Sequence, residues 1–214
     1  MRLLPALRIG AAIAASCLCA QGQGTQSELK GLPPREAPDY QAQARAGTVT
    51  VAAEFKGHWL PTLDGTLSTE DYVAVEVALL GSPGARIRLS IGDFALRINA
   101  KKTPLPCQPY GMVVGSVKDP EWAPPEPPES KSKTKVGGGG QSQDSGPPVE
   151  PKPPVALQRA WAQRVQRAAL PEGDRSLPQA GLIFFEYRSK VQNIESIELI
   201  YTGPDGKATL KLQP

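Results

Sequence analysis

The chain has 214 residues, of which 40% are hydrophobic, and this is enough for one globular domain of ordinary size. Its 23 prolines and 21 glycines are too many for a uniformly packed chain, so part of the chain is predicted to be a linker. Without Arg2 and Arg8, 22 basic side chains (24 minus 2) stand against 21 acidic ones. A net charge of about +1 is too small to attract the phosphates of nucleic acid, so no nucleic-acid partner is expected.

Residues 1–20 predict a secretory signal peptide. Arg2 and Arg8 precede the apolar run 9–20, which is rich in small residues and too short to cross a membrane as a helix. We therefore expect a periplasmic or secreted protein. Three cleavage points remain open, after Ser16, Cys19 or Ala20.

A lipid on Cys17 is the alternative to simple cleavage, and it would be the one expected link to a membrane. The lipid-attachment motif prefers a larger aliphatic residue where Ala14 stands. An ordinary cleaved signal is therefore favoured.

The cysteine count bears on catalysis. A mature chain cut after Ala20 keeps only Cys107, which cannot form an internal disulfide. The thiol could be a nucleophile or an intermolecular bridge. A semi-buried thiol in the turn 103–107 is favoured, because no residues that lower the pKa of a thiol surround it.

The domain is predicted to begin at residue 47. Residues 21–46 are polar, with three prolines and almost no large apolar residues, and predict a flexible leader. Apolar and polar residues then alternate as in half-buried strands, and a turn at 202–206 joins the last two strands. The predicted strands are 48–55, 72–80, 86–91, 94–99, 182–187, 194–201 and 208–212, with a weaker pattern at 111–117.

The segment 119–154 interrupts this pattern with ten prolines and the glycine run 137–140. It has too few hydrophobic residues to form a core and predicts a disordered insertion. The alternative, a phosphate-binding loop, needs a lysine and a hydroxyl residue directly after the last glycine, whereas Gln141 and Ser142 follow.

Residues 155–170 predict one short helix between proline-containing boundaries. Leu157, Trp161 and Val165 share a face, which is expected to pack on the sheet. The alternative is a membrane-surface helix, but its alanine-rich apolar face would bury little in a bilayer.

Further along, Phe184 and Phe185 point to opposite faces of one strand. One is therefore expected in the core, and the other near the edge of the other layer, under the helix or exposed.

Motifs for catalysis and metal binding are weak. His58 is the single histidine and is expected in a loop without a partner. Oxygen-bearing residues alternate over 64–70, as in a calcium loop, but carboxylates and glycine are not placed as that loop requires. No dinucleotide-binding turn, nucleophile elbow or carboxylate pair occurs, so no catalytic residue, metal or cofactor is expected.

Five strings of the sequence resemble secreted bacterial immunoglobulin-like domains of unknown function, which are akin to extracellular immunoprotective antigen sandwiches. In those domains an aspartate-phenylalanine pair opens a middle strand and a phenylalanine-acid pair marks a late one, and here Asp93-Phe94 and Phe185-Glu186 would fill these positions. The resemblance implies a sandwich fold and an envelope location. The strings are YVAVEVALLG, GDFALRIN, KTPLPCQPYG, LPQAGLIFFEYR and IESIELIYTGPDGKATLKL, within 72–110 and 171–212.

We therefore expect an all-β, immunoglobulin-like antiparallel β-sandwich over 47–214, with about seven to nine strands. The expected function is an exported, non-catalytic envelope protein that binds or supports another envelope protein or surface component. One alternative is a periplasmic assembly factor that offers a strand edge to a client. Another is a secreted enzyme that uses Cys107 or His58.

Overall fold

The computed structural model describes residues 31–124 and 152–214. The predicted signal peptide, Cys17 and most of the predicted insertion lie outside the described residues. The described strands and helices are β1 Ala42–Ala46, β2 Val49–Gly57, β3 Trp59–Thr62, β4 Gly65–Thr69, β5 Tyr72–Leu80, β6 Arg86–Leu89, β7 Phe94–Ile98, β8 Leu105–Gln108, α1 Tyr110–Val113, β9 Val117–Lys118, α2 Val155–Ala168, β10 Gly173–Ser176, β11 Gln179–Glu186, β12 Ile197–Gly203 and β13 Gly206–Leu212.

Eight strands form one antiparallel sheet in the order β1-β2-β5-β11-β8-β7-β12-β13. The sheet folds over on itself at β8, which pairs with β11 on one side and with β7 on the other. The two halves face each other across one hydrophobic core, which we call the main core. The predicted all-β sandwich is confirmed.

Residues from both sides of the insertion contribute side chains to the main core. Strand β5 lies next to β11 over eight residue pairs, from Tyr72 opposite Glu186 to Leu79 opposite Gln179. Alternate residues of β5 point into the main core, to which β12 also contributes residues such as Leu199. This is the period-two alternation expected of strands with one face in a core.

A second core lies on the outer face of the same layer, beneath α2. Trp161, Val165 and Ala168 of the helix are buried there against Leu182 and Phe184 of β11. The helix thus packs on the sheet by its tryptophan face, as predicted, and ends at Ala168.

The two adjacent phenylalanines divide between the two cores. Phe185 lies in the main core and Phe184 lies in the second core under the helix, and both are fully buried. The prediction that these side chains occupy opposite faces of one strand agrees with the structure.

The chain after α2 crosses β11 at very short range. A Cβ atom on Gly181 would lie 2.5 Å from the Cα of Leu170, so only glycine fits at this crossing. The Leu170 amide donates a hydrogen bond of 2.9 Å to the Leu182 carbonyl. This contact ties the end of the helical excursion back to the sheet.

The flexible leader predicted over 21–46 is wrong for residues 31–46. Ala42–Ala46 form the edge strand β1, which pairs with β2. Upstream, Arg35 reaches the outer face of the sheet and makes ion pairs of 2.6 Å with Glu54 and 2.9 Å with Glu76. Small alanines give a weak hydrophobic pattern, but they pack readily at a crowded sheet edge.

The weak strand pattern at 111–117 is also wrong. Tyr110–Val113 form the short helix α1, a 3-10 turn follows at Val114–Ser116, and only Val117–Lys118 are extended, as β9. The Ser116 hydroxyl donates to the carbonyl of Val113 and stabilises the turn. Such side-chain to backbone bonds compete with strand pairing.

Candidate functional site

A groove with a volume of about 740 Å³ opens at one end of the sandwich, where β2 and β11 end and β5 begins. Its lining comes from residues 55–59, 68–70 and 188–192, together with Pro214. We call this feature the strand-end groove. The volume falls within the range of small-ligand sites, about 300 to 1,000 Å³.

A bulge at the end of β2 directs the chain into the groove wall. The register between β2 and β5 shifts between Phe55 and Gly57, and Gly57 adopts a φ of +62°. A Cβ atom on Gly57 would lie 3.2 Å from a methyl group of Val191 on the opposite wall. Glycine therefore allows both the left-handed backbone and the close approach of the two walls.

Trp59 is the main exposed aromatic group of the groove, with 55% of its surface accessible. Its direction follows from its neighbour in β3. Leu60 pairs with Leu67 of β4, and both leucines are fully buried in the second core. Since side chains alternate along a strand, Trp59 and its cross-strand neighbour Ser68 occupy the opposite face of the hairpin.

His58 links the two walls of the strand-end groove. Its Nδ1 lies 2.7 Å from the Tyr72 carbonyl oxygen, and its Nε2 lies 3.1 Å from the Ser189 carbonyl oxygen. A neutral imidazole donates to one of these carbonyls, and an imidazolium donates to both. The ring also stacks on Tyr187, with centroids 6.5 Å apart. The ring lies between a carbonyl of β5 and a carbonyl of the loop 188–192, so His58 holds that loop in place.

The charged groups of the rim are mostly paired. Lys56 contacts Glu54 at 2.7 Å and Glu76 at 3.2 Å. Glu70 contacts Lys118 at 2.8 Å, and this ammonium lowers the pKa of the Glu70 carboxyl.

Two further cations lie on the 188–192 wall. Arg188 is 70% exposed and contacts Glu186 at 3.2 Å and Asp71 at 3.7 Å. Lys190 is exposed, and its ammonium has no ion pair or hydrogen bond within the described part of the chain. Among the described residues, Lys190 is therefore a groove cation that makes no ion pair.

Cys107, the other predicted candidate, does not line the groove. It lies in β8, is half-buried, and packs against the main core. Burial raises the pKa of its thiol to about 12. The thiolate that nucleophilic chemistry requires is therefore scarce at neutral pH.

The oxygen-bearing residues at 64–70 lie on the β3-β4 hairpin. The Asp64 carboxylate pairs with Arg167 of α2, and that of Glu70 pairs with Lys118. Over residues 31–124 and 152–214, no three His, Cys, Asp or Glu side chains are grouped so as to hold a metal ion. No helix in these same ranges has the length and apolar character of a membrane span.

Sequence reasoning placed His58 in a loop but missed Trp59, Arg188 and Lys190 as parts of one site. A local signal was available for the tryptophan wall. Asp64 and Gly65 are turn residues and indicate a chain reversal after 59–62, although the run 59–62 does not itself alternate. Comparison of the chain with protein-family models, with curated proteins and with solved structures finds no match.

Proposed function

We propose that the protein is an exported, non-catalytic binding module of the cell envelope and that the strand-end groove is its binding site. The observation that carries this proposal is the exposure of Trp59 at 55% beside a groove of about 740 Å³. Tryptophan has a large apolar surface that is usually mostly buried, and here much of that surface is exposed to solvent. Exposed aromatic side chains of this kind anchor ligands and partners.

The rigidity of the groove supports binding. Leu60 and Leu67 fix one wall from beneath, and His58 joins it to the opposite wall. A site that is already formed before the ligand arrives loses less conformational entropy on binding.

Two observations weigh against the alternatives. An enzyme that uses Cys107 would need a reactive thiol, whereas burial raises the pKa of this thiol. An enzyme that uses His58 would need the ring to face a substrate, whereas both ring nitrogens face backbone carbonyl oxygens. Strand addition would need an open sheet edge. The outermost strands β1 and β13 carry exposed Arg45, Lys207 and Lys211, and charged side chains of this kind block edge pairing.

The envelope location rests on the sequence of residues 1–20 and on the resemblance to secreted bacterial immunoglobulin-like domains. The positions of Asp93-Phe94 at the start of β7 and of Phe185-Glu186 at the end of β11 are compatible with that resemblance. Mass spectrometry of the protein from its native host tests export. We expect loss of the first 16 to 22 residues, or a diacylglyceryl mass on Cys17, and an intact Met1 on cytoplasmic protein would overturn the location.

Site-specific photocrosslinking in intact cells tests the binding site. A photoreactive amino acid at exposed Ser189 lies in the groove. The matched control is exposed Lys207, which does not line the groove. It lies near the start of β13, and only the far end of that strand leads to the groove lining at Pro214.

We expect an adduct with an envelope component from position 189 and not from position 207, and we expect Trp59→Ala to abolish it. Identical adducts from both positions, or an adduct that survives Trp59→Ala, would overturn the assignment of the groove.

A further inference from the structure

We propose that the ligand of the strand-end groove is an acidic saccharide, in which one sugar ring stacks on Trp59 and one carboxylate binds Lys190. This inference rests on the proposed function, because it names the chemical class that the same groove would accept. Three groups that the fold leaves without partners carry it: the indole of Trp59, the ammonium of Lys190 and the amide of Gln192.

The first group is the indole. Its flat face is apolar and electron-rich, and the C–H face of a pyranose ring is apolar and weakly electropositive. These two surfaces match in shape and charge. The surroundings of Trp59 in the groove are polar, with Ser68 directly opposite and Glu70 nearby, so a purely apolar ligand would leave that rim unmatched.

The second group is Lys190. Lys56 and Arg188 have carboxylate partners, and the Glu70 carboxylate is occupied by Lys118. Within the described residues, Lys190 is left as the lining cation whose charge no side chain compensates. One free ammonium favours a ligand with a single negative charge over a strongly charged polyanion.

The third group is Gln192, which is exposed two residues beyond Lys190. Its amide offers both donors and an acceptor and makes no hydrogen bond within the described ranges. Sugar hydroxyls likewise donate and accept, so they match this amide. A peptide would instead need main-chain partners, and the Tyr72 and Ser189 carbonyls face the His58 ring.

The test compares trisaccharides that differ only in one unit, a hexuronic acid or the corresponding neutral hexose. A panel of several sugar types is titrated into the full mature chain, and binding is measured by calorimetry. We expect at least one acidic trisaccharide to bind more tightly than its neutral counterpart by about tenfold, the size of one charge-assisted hydrogen bond.

The variants separate the two contacts. Trp59→Ala should abolish binding of both sugars. Lys190→Gln should bind the acidic sugar about tenfold more weakly and lose the preference for acid over neutral. Lys207→Gln, an exposed lysine at the start of β13, is the control and should change neither affinity.

Other outcomes overturn the inference. Equal affinity for acidic and neutral sugars removes the role of Lys190. Binding of heparin that falls steeply with salt and is unaffected by Trp59→Ala indicates non-specific charge attraction. If no acidic sugar binds at millimolar concentration while the adduct at position 189 depends on Trp59, the ligand class is wrong and the proposed binding site stands.

Discussion

Cys107 shows how burial decides the chemistry of a single residue. Its thiol packs against the main core, and burial raises its pKa from 9.0 to about 12. At pH 8 the thiolate fraction in the folded protein is then on the order of 1,000-fold below that of the exposed thiol. We expect iodoacetamide to label Cys107 very slowly in the folded protein and rapidly in denaturant, as measured by peptide mapping. Equal labelling rates in the two states would contradict a buried thiol.

Glu54 belongs to a charge cluster on the outer face of the sheet, formed by Arg35, Glu54, Lys56 and Glu76. Burial raises the pKa of Glu54, but hydrogen bonds and charges from Lys56 and Arg35 outweigh this effect and lower it below 4.5. A carboxyl with a lowered folded-state pKa stabilises the protein above its ordinary pKa. That contribution is lost as the pH falls through the folded-state value.

We therefore expect Glu54→Gln to lower the free energy of unfolding by about 1 kcal/mol at pH 7. The difference from the parent protein should shrink as the pH falls below 4.5, and urea unfolding at several pH values measures it. Glu195→Gln, at an exposed glutamate without an ion pair in the described ranges, is the control. A difference that stays constant down to pH 3 would show that the cluster does not hold Glu54 ionised.

At the scale of single residues, the sequence revealed the absence of catalytic motifs but not the arrangement of the site. The ring of His58 contacts Tyr72 and Ser189, which lie 14 and 131 residues away along the chain. Contacts at such separations follow from strand order, and no local pattern of residues encodes them. For the same reason, the exposure of Trp59 could not be inferred before the burial of Leu60 was known.

At the scale of elements, β11 is held from both faces, and its two phenylalanines test each face separately. Phe184 packs under α2 and Phe185 lies in the main core. Alanine at either position should lower the free energy of unfolding by about 3 to 5 kcal/mol, because each change leaves a cavity in a packed core. Urea unfolding measures these losses. Losses below about 1 kcal/mol at both positions would contradict this packing.

The same variants differ in where they loosen the protein. Phe184→Ala should increase hydrogen exchange in α2 more than in β12, because the helix packs on the outer face. Phe185→Ala should increase exchange in β12 and β13, which face the main core. Identical exchange patterns would show that the two cores are not independent.

Elements with large β-branched or aromatic residues were predictable, and those without them were not. The alternation of valines in 72–80 gave β5 with its observed bounds. The alanine-based strand β1 and the proline-containing strand β3 gave no comparable signal. Helix α2 was predictable because prolines and a tryptophan face mark it clearly.

At the scale of the whole molecule, the described residues before and after the insertion share both cores. We expect a chain cleaved at a protease site inserted between Gly138 and Gly139 to remain one particle on a sizing column under native conditions. The fragments should separate only in denaturant, since β11 lies between β5 and β8. Two compact fragments that elute separately would contradict a shared sandwich.

The sandwich fold was predictable from the sequence, because alternating apolar and polar residues indicate strands that bury one face. The folding of the sheet at β8 was not, because it depends on how Leu105–Gln108 divide their pairing between two neighbours. The strand-end groove was not predictable either, because residues 55–59 and 68–70 form it together with 188–192 and Pro214, which lie far along the chain.

If the strand-end groove is a binding site, a partner should occupy it in the cell. Hydroxyl-radical footprinting tests it on one residue, since Trp59 is 55% exposed in the free chain. Met112, which is 61% exposed on α1, serves as the internal control. We expect Trp59 and Met112 both to be oxidised in the purified protein, whereas in intact cells Trp59 should be protected and Met112 still oxidised. Equal oxidation of Trp59 in the purified protein and in intact cells would contradict it.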